Sequence, residues 1–192
     1  MGLIDQIKGL FKTPFDHPQA LALYRSIVAQ ARLPAFYENA GVADTPDGRF
    51  DLVVLHAWLV MRRLRIDSGE ARTLSQALFD LMFADIDQNM RELGVGDHGM
   101  PKRMNKLAEG FYGRVAAYDE GLEAPEDGAL TAALKRNLYR KTAPPDDRVA
   151  MVARYVRSAA TALETQPDDE LLSGSVSFVT PDFAGEGRRN AV

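Results

Sequence analysis

A glycine pattern at residues 94–99 has the spacing of a nucleotide-binding motif. Its sequence, Gly-Val-Gly-Asp-His-Gly, fits G-x-G-x-x-G. In dinucleotide-binding folds this motif joins a β-strand to a helix whose N-terminus holds the pyrophosphate. Here the pattern follows a helical segment, and no strand pattern lies near it. Gly94 suits the left-handed C-cap of that helix, and Gly96 and Gly99 permit a turn before Pro101. We therefore interpret the motif as a hinge between two helices.

A few residues have side chains that bind metal ions or haem in other proteins. Asp85, Asp87 and His98 offer oxygen and nitrogen donors, but the sequence has neither an E-x-x-H nor an H-E-x-x-H spacing. His56 stands in an apolar segment without a second haem ligand in register, so a hydrogen-bonded structural role is favoured. No G-x-S-x-G, P-loop or Cys–His arrangement occurs. We expect a protein that is not an enzyme and that uses no metal or other cofactor.

Length and composition indicate one globular domain. The chain has 192 residues, of which 46% are hydrophobic and 26% are charged. Its net charge of −4 argues against DNA as a partner, because DNA binding needs a surplus of Lys and Arg. No stretch approaches the roughly 20 apolar residues that span a bilayer. Residues 1–15 form an amphipathic segment with Leu3, Ile7, Leu10 and Phe11 near one helical face. It either docks on the core, which we favour, or contacts a membrane surface.

Apolar residues recur with helical spacing through most of the chain. We predict one helix from Pro18, capped by Asp16, to just before Pro34, and others at residues 50–66, 73–93, 100–122, 129–141 and 147–165. Segment 50–66 is apolar nearly all round, as is typical of a central helix. The prediction is an all-α fold, a single helical bundle of about six or seven helices at residues 16–166. Residues 167–192 are predicted to form a flexible C-terminal tail with one short extended segment at residues 176–179.

Residues 79–118 contain the two amphipathic helices that flank the hinge. In the first helix, Asp87 and Arg91 have i, i+4 spacing at the edge of the apolar face. They make either a weak solvated ion pair or part of a recognition rim. The apolar face covers an arc of about 100° and is the predicted core side of this helix. Its members are Phe79, Met82, Phe83, Ile86, Met90 and Leu93.

The second of these helices carries small residues opposite its apolar face. Gly110, Gly113 and Ala117 lie together there, and Lys106 lies beside them. Each mid-helix glycine costs up to about 1 kcal/mol relative to alanine, so two within four residues need a compensating reason. Small residues let another backbone approach closely. The approaching backbone belongs either to another helix of this bundle or to a partner. The predicted core side of the second helix consists of Met104, Leu107, Ala108, Phe111, Val115, Tyr118 and Leu122.

Several motifs closely resemble the ubiquinol–cytochrome c chaperone family, in its α-proteobacterial form. They are DLMFADID at residues 80–87, RELGVGD at 91–97, PKRM at 101–104 and FYGR at 111–114, followed by Tyr118. The resemblance also includes Tyr24, the stretch at 33–37 and the helix at 50–64, so it covers roughly residues 18–165.

The resemblance implies an all-helical chaperone that binds newly made cytochrome b. Members of the family hold cytochrome b during haem insertion and support its incorporation into respiratory complex III (ubiquinol–cytochrome c reductase). Mitochondrial members work on the matrix side, near the ribosomal exit tunnel and with a small partner subunit. This sequence begins directly with a helical pattern and shows no transit peptide. We therefore expect a bacterial member at the cytoplasmic face of the inner membrane, with the ribosome and partner subunit left open.

A client with apolar transmembrane helices calls for apolar contact and a charged rim that orients it. We predict that the client-binding residues are Asp87, Arg91, Asp97, Lys102, Lys106, Tyr112, Gly113 and Arg114. Two other functions stay open at this point. One is a small helical, cofactor-dependent enzyme that uses the glycine hinge. The other is a peripheral membrane adaptor that acts through residues 1–15.

Overall fold

The computed structural model describes residues 14–66, 68–92 and 99–183. A 3-10 turn at Pro14–Asp16 comes first, and all further regular secondary structure in these residues is α-helical. The all-α prediction is therefore confirmed. The eight helices are α1 (Pro18–Ala31), α2 (Pro34–Glu38), α3 (Pro46–Arg63), α4 (Gly69–Glu92), α5 (Met100–Glu123), α6 (Asp127–Asn137), α7 (Asp146–Glu164) and α8 (Asp168–Leu172).

Proline and capping residues determine where the early helices begin. His17, rather than the predicted Asp16, caps α1: its Nδ1 accepts a hydrogen bond from the N–H of Ala20 at 3.2 Å. Asp16 belongs to the preceding 3-10 turn and lies one residue too early for that position. Helix α3 begins at Pro46, four residues before the predicted start, because Thr45 accepts from the N–H of Gly48 and proline presets the first turn.

Two apolar clusters share α3 as their common wall. One cluster contains residues of α3, α6 and α7 and includes Trp58 and Tyr118. The other contains residues of α1, α3 and α4 and includes Leu23 and Leu78. Helix α3 contributes buried side chains to both clusters, which explains why its sequence is apolar nearly all round.

The buried face of α4 differs from the predicted one. Of the predicted face, only Met82 is fully buried. Phe79, Phe83 and Ile86 are partly buried and pack against the second cluster. Met90 is also partly buried. Helix α4 packs mainly on α1, and Phe79 and Phe83 instead reach towards α5. Leu93 lies outside the described residues. The side chains of α4 that are fully buried are Ala71, Leu74, Ala77, Leu78, Leu81 and Met82.

The folded chain continues past residue 166, where the flexible tail was predicted to begin. Helix α8 follows, with Leu171 buried, and after a turn at residues 173–174 the segment 175–183 lies against the bundle without helix or strand. Val176 and Phe178 pack against both apolar clusters, and Phe183 is only 6% exposed. Burial of these side chains offsets the entropy of ordering a segment without regular structure. Residues 184–192 and 1–13 lie outside the described residues.

Candidate protein-binding surface

The C-terminal half of α5 is packed tightly against the bundle. A Cβ atom added to Gly121 would lie 2.7 Å from the Cα of Leu130 on α6, so the two backbones need a glycine at their contact. Tyr118 is fully buried, and its ring lies 5.1 Å from that of Trp58. This half of α5 serves the fold.

The N-terminal part of α5, residues 100–113, is exposed along the face that carries Gly110 and Gly113, and we call it the exposed half of α5. Gly110 and Gly113 are both exposed, and a Cβ built on either would have no described atom within 4 Å. Lys102 and Lys106 are exposed on the same face of the helix. Within the described residues, therefore, no helix of this bundle covers the two glycines. The groove that they form faces outwards.

Tyr112 is a large hydrophobic side chain exposed at the surface of this region. It is 50% exposed, and its ring stacks on Phe79 of α4 with centroids 5.7 Å apart. The edge of Phe111 meets the same tyrosine at 5.8 Å. Phe79 and Phe111 contact each other edge-on at 5.4 Å. These aromatic contacts hold Tyr112 in place at the surface, between α4 and α5.

Beside Tyr112, an open cleft of about 630 Å³ lies between the end of α3, α4 and α5. Apolar side chains form most of its lining, and Arg65, Arg72 and Gln76 are among its polar residues. Arg65 also forms an ion pair with Asp119 at 2.7 Å. Sequence reasoning missed the cleft because three separate helices build it. The partial signal was the row of aromatic residues on α4, which was interpreted as core. The apolar side chains of the lining are Trp58, Met61, Leu64, Ile66, Phe79, Phe111, Tyr112 and Val115.

Arg114 does not lie on the exposed rim where the sequence placed it. Its side chain is 11% exposed and forms an ion pair with Oδ1 of Asp51 at 2.9 Å, and its guanidinium lies over the ring of Phe50. The Nε of Arg140 donates to the other oxygen of Asp51 at 2.9 Å. Burial raises the pKa of Asp51, and the two arginines oppose that rise. The placement was wrong because Arg114 neutralises a carboxylate that is itself only 3% exposed.

The remaining predicted residues divide between two helices. Asp87 and Arg91 pair with each other on α4, with Oδ2 and Nε 2.7 Å apart and both side chains partly exposed. Lys102, Lys106, Tyr112 and Gly113 share the exposed part of α5. Asp97 and most of the glycine motif lie outside the described residues.

His56 has both ring nitrogens in hydrogen bonds. Its Nδ1 lies 2.8 Å from the carbonyl oxygen of Leu52, and its Nε2 lies 2.8 Å from the hydroxyl of Tyr155. Burial lowers the pKa of His56 to about 4, so the ring is neutral at pH 7. The favoured structural role is consistent with this geometry. Among the described residues, no three His, Asp or Glu side chains are grouped for a metal ion, and no helix has the length and apolarity to span a bilayer.

Comparison with known proteins decides the family. Residues 38–178 match the family described as Ubiquinol-cytochrome C chaperone. The chain belongs to this family. The assignment from the sequence motifs is thereby confirmed, and the matched residues include α3 to α8 with the exposed face of α5.

Relatives of this chaperone-family chain come from animals, yeast and bacteria. It is 28% identical to ubiquinol-cytochrome-c reductase complex assembly factor 1 of Xenopus laevis, over 82% of this chain and 78% of the relative. It is 30% identical to Protein CBP3, mitochondrial, of Saccharomyces cerevisiae, over 76% of this chain and 44% of the relative. The human assembly factor 1 is 27% identical, and the chain spans about half of its length (53%).

A solved structure matches the fold of this chaperone-family chain. It is the crystal structure of the Cbp3 homolog from Brucella abortus, with a TM-score of 0.79 and 38% sequence identity. The match covers 87% of this chain and 92% of the Brucella chain.

Proposed function

We propose that this protein is an assembly chaperone of respiratory complex III that binds newly made cytochrome b. Membership of the ubiquinol–cytochrome c chaperone family supports the proposal, as do relatives named as assembly factors of the ubiquinol–cytochrome c reductase complex. The chaperone holds cytochrome b while its haems are inserted and then releases it into the complex. It acts at the cytoplasmic face of a bacterial inner membrane, without catalysing a reaction.

The main observation in support of a binding site is that one half of α5 is exposed. Gly110 and Gly113 each cost up to about 1 kcal/mol of helix stability, yet neither contacts another described part of the fold. A surface without large side chains lets the backbone of a client helix approach closely. The cleft beside Tyr112 offers apolar contact to the same client. Lys102 and Lys106 add positive charge that orients it.

The proposed client surface differs from the predicted one: it gains Gly110 and the cleft and loses Arg114, and Asp97 lies outside the described residues. It consists of the exposed face of α5 with Tyr112, the adjoining cleft, and the Asp87–Arg91 pair at the far end of α4. Arg114 is omitted because its charge is already paired inside the protein. Binding to the ribosome near the exit tunnel and binding to a small partner subunit remain predictions.

Photo-crosslinking in cells tests the proposal. A benzophenone amino acid replaces Tyr112, and in a control chain it replaces Ala129, an exposed residue of α6. We expect cytochrome b among the products from position 112 and a much weaker product from position 129. Crosslinks to ribosomal proteins or to a small subunit would identify the other predicted partners. Absence of cytochrome b from the products of position 112 would falsify the proposal.

A further inference from the structure

Residues 175–183 form an extended segment, which we call the strap. It contains no helix or strand, yet it is folded onto the bundle with inward and outward residues in near alternation. Pro181 and Phe183 are buried, whereas Ser177, Thr180 and Asp182 are exposed. Such a pattern is typical of an extended peptide that lies in the groove of a binding protein, where alternate side chains enter pockets.

The side-chain amides of two glutamines form hydrogen bonds with the backbone of the strap. Gln166 makes a pair of hydrogen bonds with Ser177: its Nε2 donates to the carbonyl oxygen at 2.6 Å, and its Oε1 accepts from the N–H at 3.0 Å. The Nε2 of Gln30 donates to the carbonyl oxygen of Val179 at 2.9 Å. Within the described residues, backbone–backbone hydrogen bonds reach only as far as Ser175, which donates to Glu170. The strap can thus leave the bundle without breaking a helix.

The groove under the strap has walls that are bonded to each other independently of the strap. The hydroxyl of Tyr155 on α7 lies 2.8 Å from the Nε2 of His56 on α3. The same hydroxyl accepts a hydrogen bond from the Nε2 of Gln30 on α1 at 2.9 Å. Phe36 of α2 packs edge-on against both the His56 ring at 5.3 Å and the Tyr155 ring at 5.1 Å. This network holds the groove in shape when nothing lies in it.

Two aromatic side chains of the strap enter that groove. Phe178 meets the His56 ring edge-on at 5.4 Å, and Phe183 meets the Phe36 ring at 5.5 Å. The segment is fixed at its start by Gly174, which has φ of +93° and would bring a Cβ within 2.8 Å of the Cα of Gln19. Opening therefore begins after Gly174, and α8 stays in place through its buried Leu171.

We propose that the groove lined by Phe36, His56 and Tyr155 is a second binding site of this protein, for extended apolar peptide segments. The strap is its resident ligand and exchanges with segments from a partner polypeptide. A fitting segment has two aromatic residues five positions apart and a free backbone N–H and C=O for Gln166. This site is separate from the α5 surface and does not depend on the proposed cytochrome b function.

Native-state hydrogen exchange on the unaltered full chain gives the first test. The amide of Ser177, which is bonded to Gln166, is compared with the amide of Val156 in the middle of α7. We expect Ser177 to exchange faster than Val156 and with little dependence on added denaturant, as in local opening. Equal rates and equal denaturant dependence at the two amides would mean that the strap opens only with global unfolding, and the proposal would be overturned.

The second test adds a fluorescein-labelled peptide with the sequence of the strap, residues 175–183, to full-length chains. Phe183→Ala weakens the resident strap but leaves the groove intact, so the peptide should bind this chain at least about tenfold more tightly than the wild type. Thr180→Ala, at an exposed position of the strap, is the matched control and should bind like the wild type. Adding Gln166→Ala to the Phe183→Ala chain removes the backbone grip and should weaken peptide binding again. If Phe183→Ala gains no affinity over wild type, the groove is not a peptide site.

Discussion

The two halves of helix α5 use glycine in opposite ways. In the C-terminal half, Gly121 lies against the backbone of Leu130, where a methyl group has no room. In the N-terminal half, Gly110 and Gly113 face open space and contribute nothing to packing within the described fold. The same residue type is thus required by the fold at one end of the helix and weakens the helix at the other. This difference supports the proposal that the exposed half of α5 binds a partner outside the bundle.

The largest effect is expected where α5 is tied to the interior by charge. Asp51→Ala removes the buried carboxylate that Arg114 and Arg140 share. We expect a loss of about 3 kcal/mol in the free energy of unfolding, because breaking a buried pair leaves charges without a partner. Urea denaturation measures it. Asp44→Ala, at an exposed pair with Arg49, is the control and should leave the urea midpoint close to that of the wild type. Equal losses would place Arg114 with the exposed half after all.

Gly121→Ala tests the tight end of α5 directly. Its Cβ would lie 2.7 Å from the Cα of Leu130, so α6 has to shift. We expect a loss of about 2 kcal/mol in unfolding free energy, the range found for overpacked sites. The same denaturation assay applies. A neutral or stabilising result would show that the α5–α6 contact is looser than the structure has it.

Gly113→Ala tests the open end and should have the opposite sign. With no described atom within 4 Å of the new methyl group, the gain in helix propensity acts alone. We expect the free energy of unfolding to rise by about 0.5 to 1 kcal/mol. A decrease instead would mean that another part of the chain fills the groove, and the contrast between the two halves would disappear.

The smallest effect is expected at Asp87. Its pair with Arg91 is an i, i+4 contact between partly exposed side chains on α4. Asp87→Ala should lower unfolding stability by only about 0.3 to 0.5 kcal/mol. A loss comparable to that of Asp51→Ala would assign the pair to the structural framework rather than to the surface.

Helical periodicity sufficed to predict the all-α fold and the central position of α3, since apolar spacing is a local signal. The wheel of α5 also placed Gly110 and Gly113 correctly on an exposed side, but Ala117 of the same predicted row is partly buried against the cluster that contains Trp58. Arg114 could not be placed in that way, because its partner Asp51 lies 63 positions earlier in the chain and only the folded bundle brings them together. The cleft required three helices, so no single periodic pattern contains it.

The short extended segment at residues 176–179 was predicted, but its packing against the bundle was not, and the reason is a different one. Residues 175–183 have no helical spacing, and their backbone is held by the side chains of Gln30 and Gln166, which stand far away or on another element. The composition of residues 168–192, rich in Ser, Gly, Asp and Arg, is also typical of a flexible tail. The burial of Phe183 and the hydrogen bonds from Gln30 and Gln166 distinguish the strap from such a tail.

Copurification of cytochrome b with two glycine variants tests the proposal that α5 is a client surface. Gly113→Leu fills the outward groove, and Gly128→Leu places the same side chain at an exposed glycine of α6. We predict that the urea midpoint of each variant stays close to that of the wild type, because only the difference in helix propensity between glycine and leucine changes its stability. The Gly113→Leu chain should copurify at least about tenfold less cytochrome b from membranes, whereas Gly128→Leu copurifies the wild-type amount. Undiminished capture by a stable Gly113→Leu chain would contradict the assignment of the exposed half of α5 to client binding.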